Sequence, residues 1–245
     1  MTLRIAMWSG PRNISTAMMR SFSSRPDTAV SDEPFYGCFL EQTGLDHPMR
    51  DAIVADMDCD WWAVAVTLSE GAPEDKPVWY QKHMSHHMVG PVVPDDLPGF
   101  THAFLIRDPA RMVASYAAKR ESVCPDDLGL ARQRAFFERE CDRLGKAPAV
   151  VDSADVLRDP AGTLSALCDA LGIVWTDAML RWPAGRHAAD GIWAPHWYGR
   201  VEASTGFEGA EGAPPALDAD LRAVAEACMA DYQAMAVHAV GRGQE

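Results

Sequence analysis

The sequence predicts an α/β protein, a three-layer parallel sheet whose first strand, turn and helix form a phosphate-binding, P-loop-like unit. Three observations carry that expectation. Apolar runs of strand length recur at Leu3 to Trp8, Thr28 to Ser31, Pro77 to Lys82, His102 to Ile106 and Ala147 to Val151. Helix-forming stretches separate them, and strands alternating with helices imply crossover connections and a parallel sheet. The turn after the first run places an arginine and two hydroxyls at the start of a helix, where unpaired amides and the helix dipole favour anions.

The first unit reads LRIAMWSGPRNISTAMMRSFSS over residues 3–24. Gly10, Pro11, Arg12, Asn13 and Ile14 form the turn, and Ser15 and Thr16 open a helix with apolar positions Ala17, Met18 and Phe22. A nucleoside-triphosphatase loop needs G-x-x-x-x-G-K-[ST]. Counted from Gly10, the second glycine position is Ser15 and the lysine position is Thr16, so that pattern fails. A loop of this kind suits a transferred group bearing less charge than a γ-phosphate.

The second strand runs into DEPFYG at 32–37, which puts Asp32 and Glu33 where open α/β sheets seat their ligands. Residues 47–69 read as helical and carry Trp61 and Trp62. The third strand continues through Lys82 and His83 into His86 and His87. After the fourth strand comes Arg107-Asp108-Pro109, with proline suited to a first helical turn. Arg107 can fork a phosphate while Ser115 faces it from the helix that follows. A charged helix is expected over 128–144, and another over 160–171, stopped by Gly172. The stretch 183–214, rich in glycine, proline and aromatics, reads as a lid, and 217–237 as a closing helix.

At 245 residues with 48% hydrophobic and 23% charged residues, the chain reads as a single domain, 1–245, long enough for a sizeable core. Its net charge of −13 disfavours nucleic acid, anionic membrane or polyanionic partners, so an anion site has to be a local basic island. Six cysteines without C-x-x-C spacing indicate neither a zinc site nor a disulfide framework. With no signal peptide and no apolar run near membrane-spanning length, a cytoplasmic location is expected.

Taken together, GPRNIST (10–16) and IRDPARMVASY (106–116) resemble the two nucleotide-binding signatures of the 3′-phosphoadenosine 5′-phosphosulfate (PAPS)-dependent sulfotransferases. AVVDSADVLRDPAGTLSALCDALG (149–172) is similar to a third stretch of that family. The resemblance implies a sulfotransferase-like fold, PAPS as donor, adenosine 3′,5′-bisphosphate as product, and no metal. It implies that the loop from Gly10 to Thr16 holds the 5′-phosphosulfate and that Arg107 and Ser115 hold the 3′-phosphate. Arg186 and Arg200 stand where the family closes a basic, glycine-rich segment over the nucleotide. Arg12 occupies a position at which many members carry lysine. It can neutralise charge on the leaving oxygen but cannot give up its proton.

Two bases remain open. Glu33 ends the second strand, as in members that use glutamate, while His83 after Lys82 is similar to a Lys-Thr-His strand end in others. Lys82 either aids the leaving oxygen or pairs with Asp32. Three histidines so close together also raise a metal site, which no companion ligand spacing supports. Trp61, Trp62, Trp193, Trp197 and Tyr198 could wall a pocket for a small acceptor, and aromatic faces beside acids suit a cationic one. A P-loop phosphotransferase or hydrolase and a non-catalytic nucleotide-binding module are the competing readings.

Overall fold

The structure, a computed structural model, describes residues 2–120 and 122–241. Its centre is a five-stranded sheet built from β1 (Leu3–Ser9), β2 (Thr28–Asp32), β3 (Val78–Met84), β4 (Phe100–Ile106) and β5 (Ala149–Asp152). The spatial order is β2-β3-β1-β4-β5, and every pairing is parallel. Parallel neighbours need crossovers, and here these are helices on both faces.

The helices are α1 (Ser15–Ser23), α2 (Tyr36–Thr43), α3 (Arg50–Asp56), α4 (Trp61–Ser69), α5 (Pro109–Ala117), α6 (Pro125–Leu128) and α7 (Leu130–Leu144). They continue with α8 (Ser153–Arg158), α9 (Pro160–Leu171), α10 (Ala194–Trp197), α11 (Gly199–Glu202) and α12 (Ala219–Ala236). Strand alternation divides the core in two. Ile5, Met7, Ala103, Leu105 and Val151 face Met18, Met19 and Phe22 of α1 and Leu164, Leu167 and Leu171 of α9. Ala6, Trp8, Phe104, Ile106 and Val150 face the other way, onto α4, α5, α7 and α12 through Val64, Met112, Phe136 and Met235. Three layers are therefore present, as the alternating pattern predicts.

Several boundaries follow local signals. Asp60, Asp108, Asp152, Asp159 and Asp218 each accept backbone amides at a helix start. Helix α9 ends at Gly172, as expected. The structure corrects one expectation and adds two helices that the sequence does not announce. The helical stretch 47–69 is two helices, because Asp60 caps a new start after the chain extends at Met57. Helix α2 carries no clear local signal, since Pro34 and Gly37 resemble a turn. Gly37 is instead a close approach, where a Cβ would lie 2.7 Å from Met57 Cβ. The short α8 precedes α9, as Asp152 caps one helix and Asp159 the next.

Candidate active site

Four strand ends converge on one cavity of about 360 Å³. The loop after β1 contributes Pro11 to Ala17, β2 contributes Glu33, β3 contributes Lys82 and Met84, and β4 contributes Arg107. This is the carboxyl edge of the sheet, where open α/β folds bind ligands.

The first loop is built in an unusual backbone conformation. Arg12 (φ 63°) and Ile14 (φ 56°) are both left-handed, which is costly for a β-branched residue such as isoleucine. Ile14 is also the N-cap of α1, and no side chain accepts from the first-turn amides. Those donors are left for a ligand at the positive end of the helix. Asn13 fastens the loop to the sheet by donating from Nδ2 to the Leu105 carbonyl at 3.2 Å. Gly10 lies behind the loop rather than in the cavity wall, and a Cβ there would come 2.3 Å from the Leu128 carbonyl oxygen. Its task is packing.

The two arginine signatures meet. Arg12 Nε donates to Ser115 Oγ at 2.9 Å, and Arg107 Nη1 donates to the Arg12 carbonyl. Asp108 turns away to cap α5 through the Arg111 amide, so the R-D-P phrase both caps a helix and aims Arg107 at the cavity. The Arg12 guanidinium holds its proton less tightly than usual, because it is buried and because Arg107 and Arg200 crowd it with like charge. Three cations drawn together this way make the local basic island that the chain's acidic balance requires.

Opposite them lies a buried polar cluster. Lys82 Nζ donates to Asp32 Oδ1 (2.8 Å), Glu33 Oε1 (2.6 Å) and the Tyr198 hydroxyl (2.7 Å), which uses all three of its protons. The Tyr198 hydroxyl donates to Asp32 and accepts from Trp193 Nε1 at 3.0 Å. Glu33 itself is left-handed (φ 45°) and turns the chain at the strand end, leaving Oε2 3.9 Å from His87 Nδ1. Burial raises the Glu33 carboxyl above the usual carboxylate range, with Asp32 adding to the shift and Lys82 opposing it. Lys82 loses by burial but is held protonated by the two carboxylates.

The sequence-predicted residues therefore separate. Arg12, Asn13, Ile14, Ser15, Thr16, Glu33, Lys82, Arg107, Ser115 and Arg200 all line the cavity, as do His86 and His87. His83 does not. Lys82 and His83 are consecutive strand residues and point to opposite faces. The His83 ring packs 4.6 Å from Trp8 in the core, with Nε2 3.2 Å from Gln81 Oε1, and burial pushes its pKa down to about 3. Arg186 is exposed and outside the cavity wall. Of the five aromatics proposed for an acceptor pocket, Trp197 and Tyr198 reach the cavity. Trp61 stacks on Phe35 in the core, Trp193 is buried behind Tyr198, and Trp62 is 51% exposed on α4.

Sequence reasoning missed Tyr36, His47 and Tyr116, which also line the cavity. Tyr36 stacks on His87 at 4.4 Å and its hydroxyl hydrogen-bonds His47 Nδ1. Tyr36 lies in α2, the helix without a clear local signal, and His47 in a polar loop without a motif. Among the described residues no cluster of histidine, cysteine and carboxylate side chains has the makings of a metal site, and no helix is long and apolar enough to cross a membrane.

A family model for a sulfotransferase domain matches residues 3–239. The chain belongs to the sulfotransferase domain family. The match includes the C-terminal third, where motif reading alone is loose. Two proteins of Arabidopsis thaliana are similar in sequence. Branched-chain-amino-acid aminotransferase-like protein 2 is 35% identical over 240 residues, covering 96% of this chain and 41% of its own length. The corresponding protein 1 is 39% identical over 206 residues, covering 83% and 36%. This sulfotransferase-family chain thus spans about two fifths of those relatives. Its fold is shared with the sulfotransferase domain from the curacin biosynthetic pathway, at TM-score 0.53 and 14% identity, over 94% of this chain and 98% of that one. The sulfotransferase of Alicyclobacillus acidocaldarius gives TM-score 0.55 at 14% identity, over 98% and 97%.

Proposed function

We propose that this sulfotransferase-family protein transfers a sulfuryl group from PAPS to a hydroxyl or amine of a small acceptor. The observation that carries the reading is the convergence of Arg12, Arg107, Ser115 and Glu33 on one cavity. The donor set suits a doubly phosphorylated nucleotide. It offers guanidinium forks, three hydroxyls (Ser15, Thr16 and Ser115) and helix amides that no side chain caps. PAPS would supply an activated sulfuryl group, with the bisphosphate as leaving group.

Each protein group then has a task. Ser15, Thr16 and the first-turn amides of α1 bind the 5′ end, and Arg12 offsets negative charge that develops there. Arg107 and Ser115 bind the 3′-phosphate and thereby fix the register of the nucleotide. Glu33 takes the acceptor proton, and burial raises its carboxyl pKa in the direction that makes a carboxylate a stronger base. Lys82 positions Glu33 rather than meeting the leaving group, because all its protons are committed. His87, 3.9 Å from the free Glu33 oxygen and held neutral by burial, completes the acceptor side.

The test is transfer of label from PAPS carrying a radioactive sulfuryl group to a panel of small alcohols, phenols and amines. Transfer that falls at least about 100-fold in Glu33→Gln supports the reading, given the usual worth of a positioned base. Transfer undiminished in that variant removes Glu33 as base. Magnesium-dependent hydrolysis of ATP without any sulfuryl transfer would favour a phosphotransferase instead.

A further inference from the structure

An acidic strap occupies the same arginines that the proposed donor needs. Glu211 forms an ion pair with Arg107 Nη2, and its second oxygen lies 3.5 Å from Arg111 Nε. Arg111 also donates to the Gly212 carbonyl. Three residues before Glu211, Glu208 accepts from Arg200 Nε at 2.8 Å. The segment from Glu208 to Glu211 therefore closes one side of the cavity by laying carboxylates on its cations.

How the strap is held shows what could move it. Its stem is fixed, because Trp182 N donates to the Thr205 carbonyl at 3.2 Å and Arg181 bridges Gly206. Phe207 extends the stem by packing edge-on against Trp182 at 5.0 Å, and beyond it, among the described residues, no backbone-to-backbone hydrogen bond holds 208–216. The strap is thus seated by ionic contacts to Arg200, Arg107 and Arg111, with Gly209 and Gly212 on either side of Glu211. Glu211 Oε2 is buried without a hydrogen-bond donor, and so is Arg107 Nε without an acceptor. The seat is an imperfect match for a carboxylate. A phosphate monoester brings more charge and three acceptor oxygens to the same fork.

We propose that Glu208–Glu211 is a tethered competitor for the Arg107 seat, displaced only by a ligand that carries a second phosphate. This rests on the reading of Arg107 as the 3′-phosphate site. A nucleotide with only the 5′ group leaves Glu211 in place and gains nothing from Arg107. A 3′,5′-bisphosphate exchanges the carboxylate for phosphate and frees the strap. The strap would then set specificity by making the second phosphate a condition of opening.

Calorimetry on Glu211→Gln, with adenosine 3′,5′-bisphosphate and adenosine 5′-monophosphate as probes, tests this. Removing the competing charge should tighten the bisphosphate about tenfold and leave the monophosphate within about twofold, as expected when a charge-assisted hydrogen bond is removed from the unliganded state alone. In the wild type, the bisphosphate should also speed cleavage after Glu208 and Glu211 by a glutamate-specific protease, while the monophosphate does not. Equal bisphosphate affinity in variant and wild type would overturn the proposal and leave the donor reading intact. Equal tightening of both nucleotides would overturn it too, since the effect would be general electrostatics. A bisphosphate that bound neither protein would overturn the donor reading and the strap with it.

Discussion

Replacing Arg107 by alanine isolates the second half of the proposed donor site. In the ligand-free protein Arg107 donates to the Arg12 carbonyl and pairs with Glu211, both partly shielded from solvent. A bound phosphate would accept two charge-assisted hydrogen bonds from its fork, worth about 1.5–3 kcal/mol each. The Glu211 pair given up on binding offsets about 1 kcal/mol of that, since it keeps some solvent contact. The net loss is about 3 kcal/mol, or about 100-fold in the affinity for adenosine 3′,5′-bisphosphate. Losing the hold on the Arg12 carbonyl loosens the first loop as well, and that part falls equally on any nucleotide. Calorimetry should therefore show adenosine 5′-monophosphate weakened by less than about fivefold. A loss of the same factor for both ligands would refute the reasoning. Arg107 would then support the loop and touch no 3′-phosphate.

The remaining predictions concern the opposite wall and the core. Lys82→Ala strands Asp32, Glu33 and the Tyr198 hydroxyl in a dry site, and should cost about 3–5 kcal/mol, which thermal melting would register as a drop of about 10 °C. A melting shift under about 2 °C would mean the cluster is solvated. His83→Ala should lower stability through lost packing on Trp8 yet keep turnover within about tenfold; a fall beyond about 100-fold in a folded variant would restore His83 as base. Acid stability should be poor. Burial lowers the pKa of His47 to about 4, His83 to about 3, His86 to about 3 and His102 to about 4, and holds His87 well below its ordinary value; neighbouring positive charge adds to the shift except at His102, where Glu140 opposes it. Unfolded histidine protonates near pH 6.5 and the folded groups do not, so stability falls as pH drops from about 6.5 toward 4, by about 1 kcal/mol per histidine per pH unit. Glu33, raised in the fold, has the opposite sign but is one group against five. Denaturant midpoints at pH 7.5 and 5.5 check this, and equal values would contradict it.

The parts of the site that could be read in advance are those set by local patterns. Strand length, the R-D-P cap and hydroxyls at a helix start are properties of adjacent residues, and they located the loop from Pro11 to Thr16 as well as Arg107 and Ser115. What escaped was decided by facing and by distant packing. Lys82 and His83 are neighbours in sequence, but strand alternation sends one into the cavity and the other against Trp8. No motif marks which. His47 and Tyr36 meet through a helix whose Pro34 and Gly37 look like a turn until Met57 is seen pressed against the glycine. Trp61 and Trp62 share a helix and differ by one residue, enough to bury the first and expose the second. Glu211 gave no sequence signal because its partners lie about 100 positions earlier.

In the proposed mechanism Arg12 and Arg107 grip the two ends of one nucleotide. Calorimetry with adenosine 3′,5′-bisphosphate and ADP, each with and without magnesium, addresses that most directly. Tight binding of the bisphosphate that magnesium does not alter, with ADP at least about 30-fold weaker, is the predicted result. Preference for ADP in the presence of magnesium would contradict it.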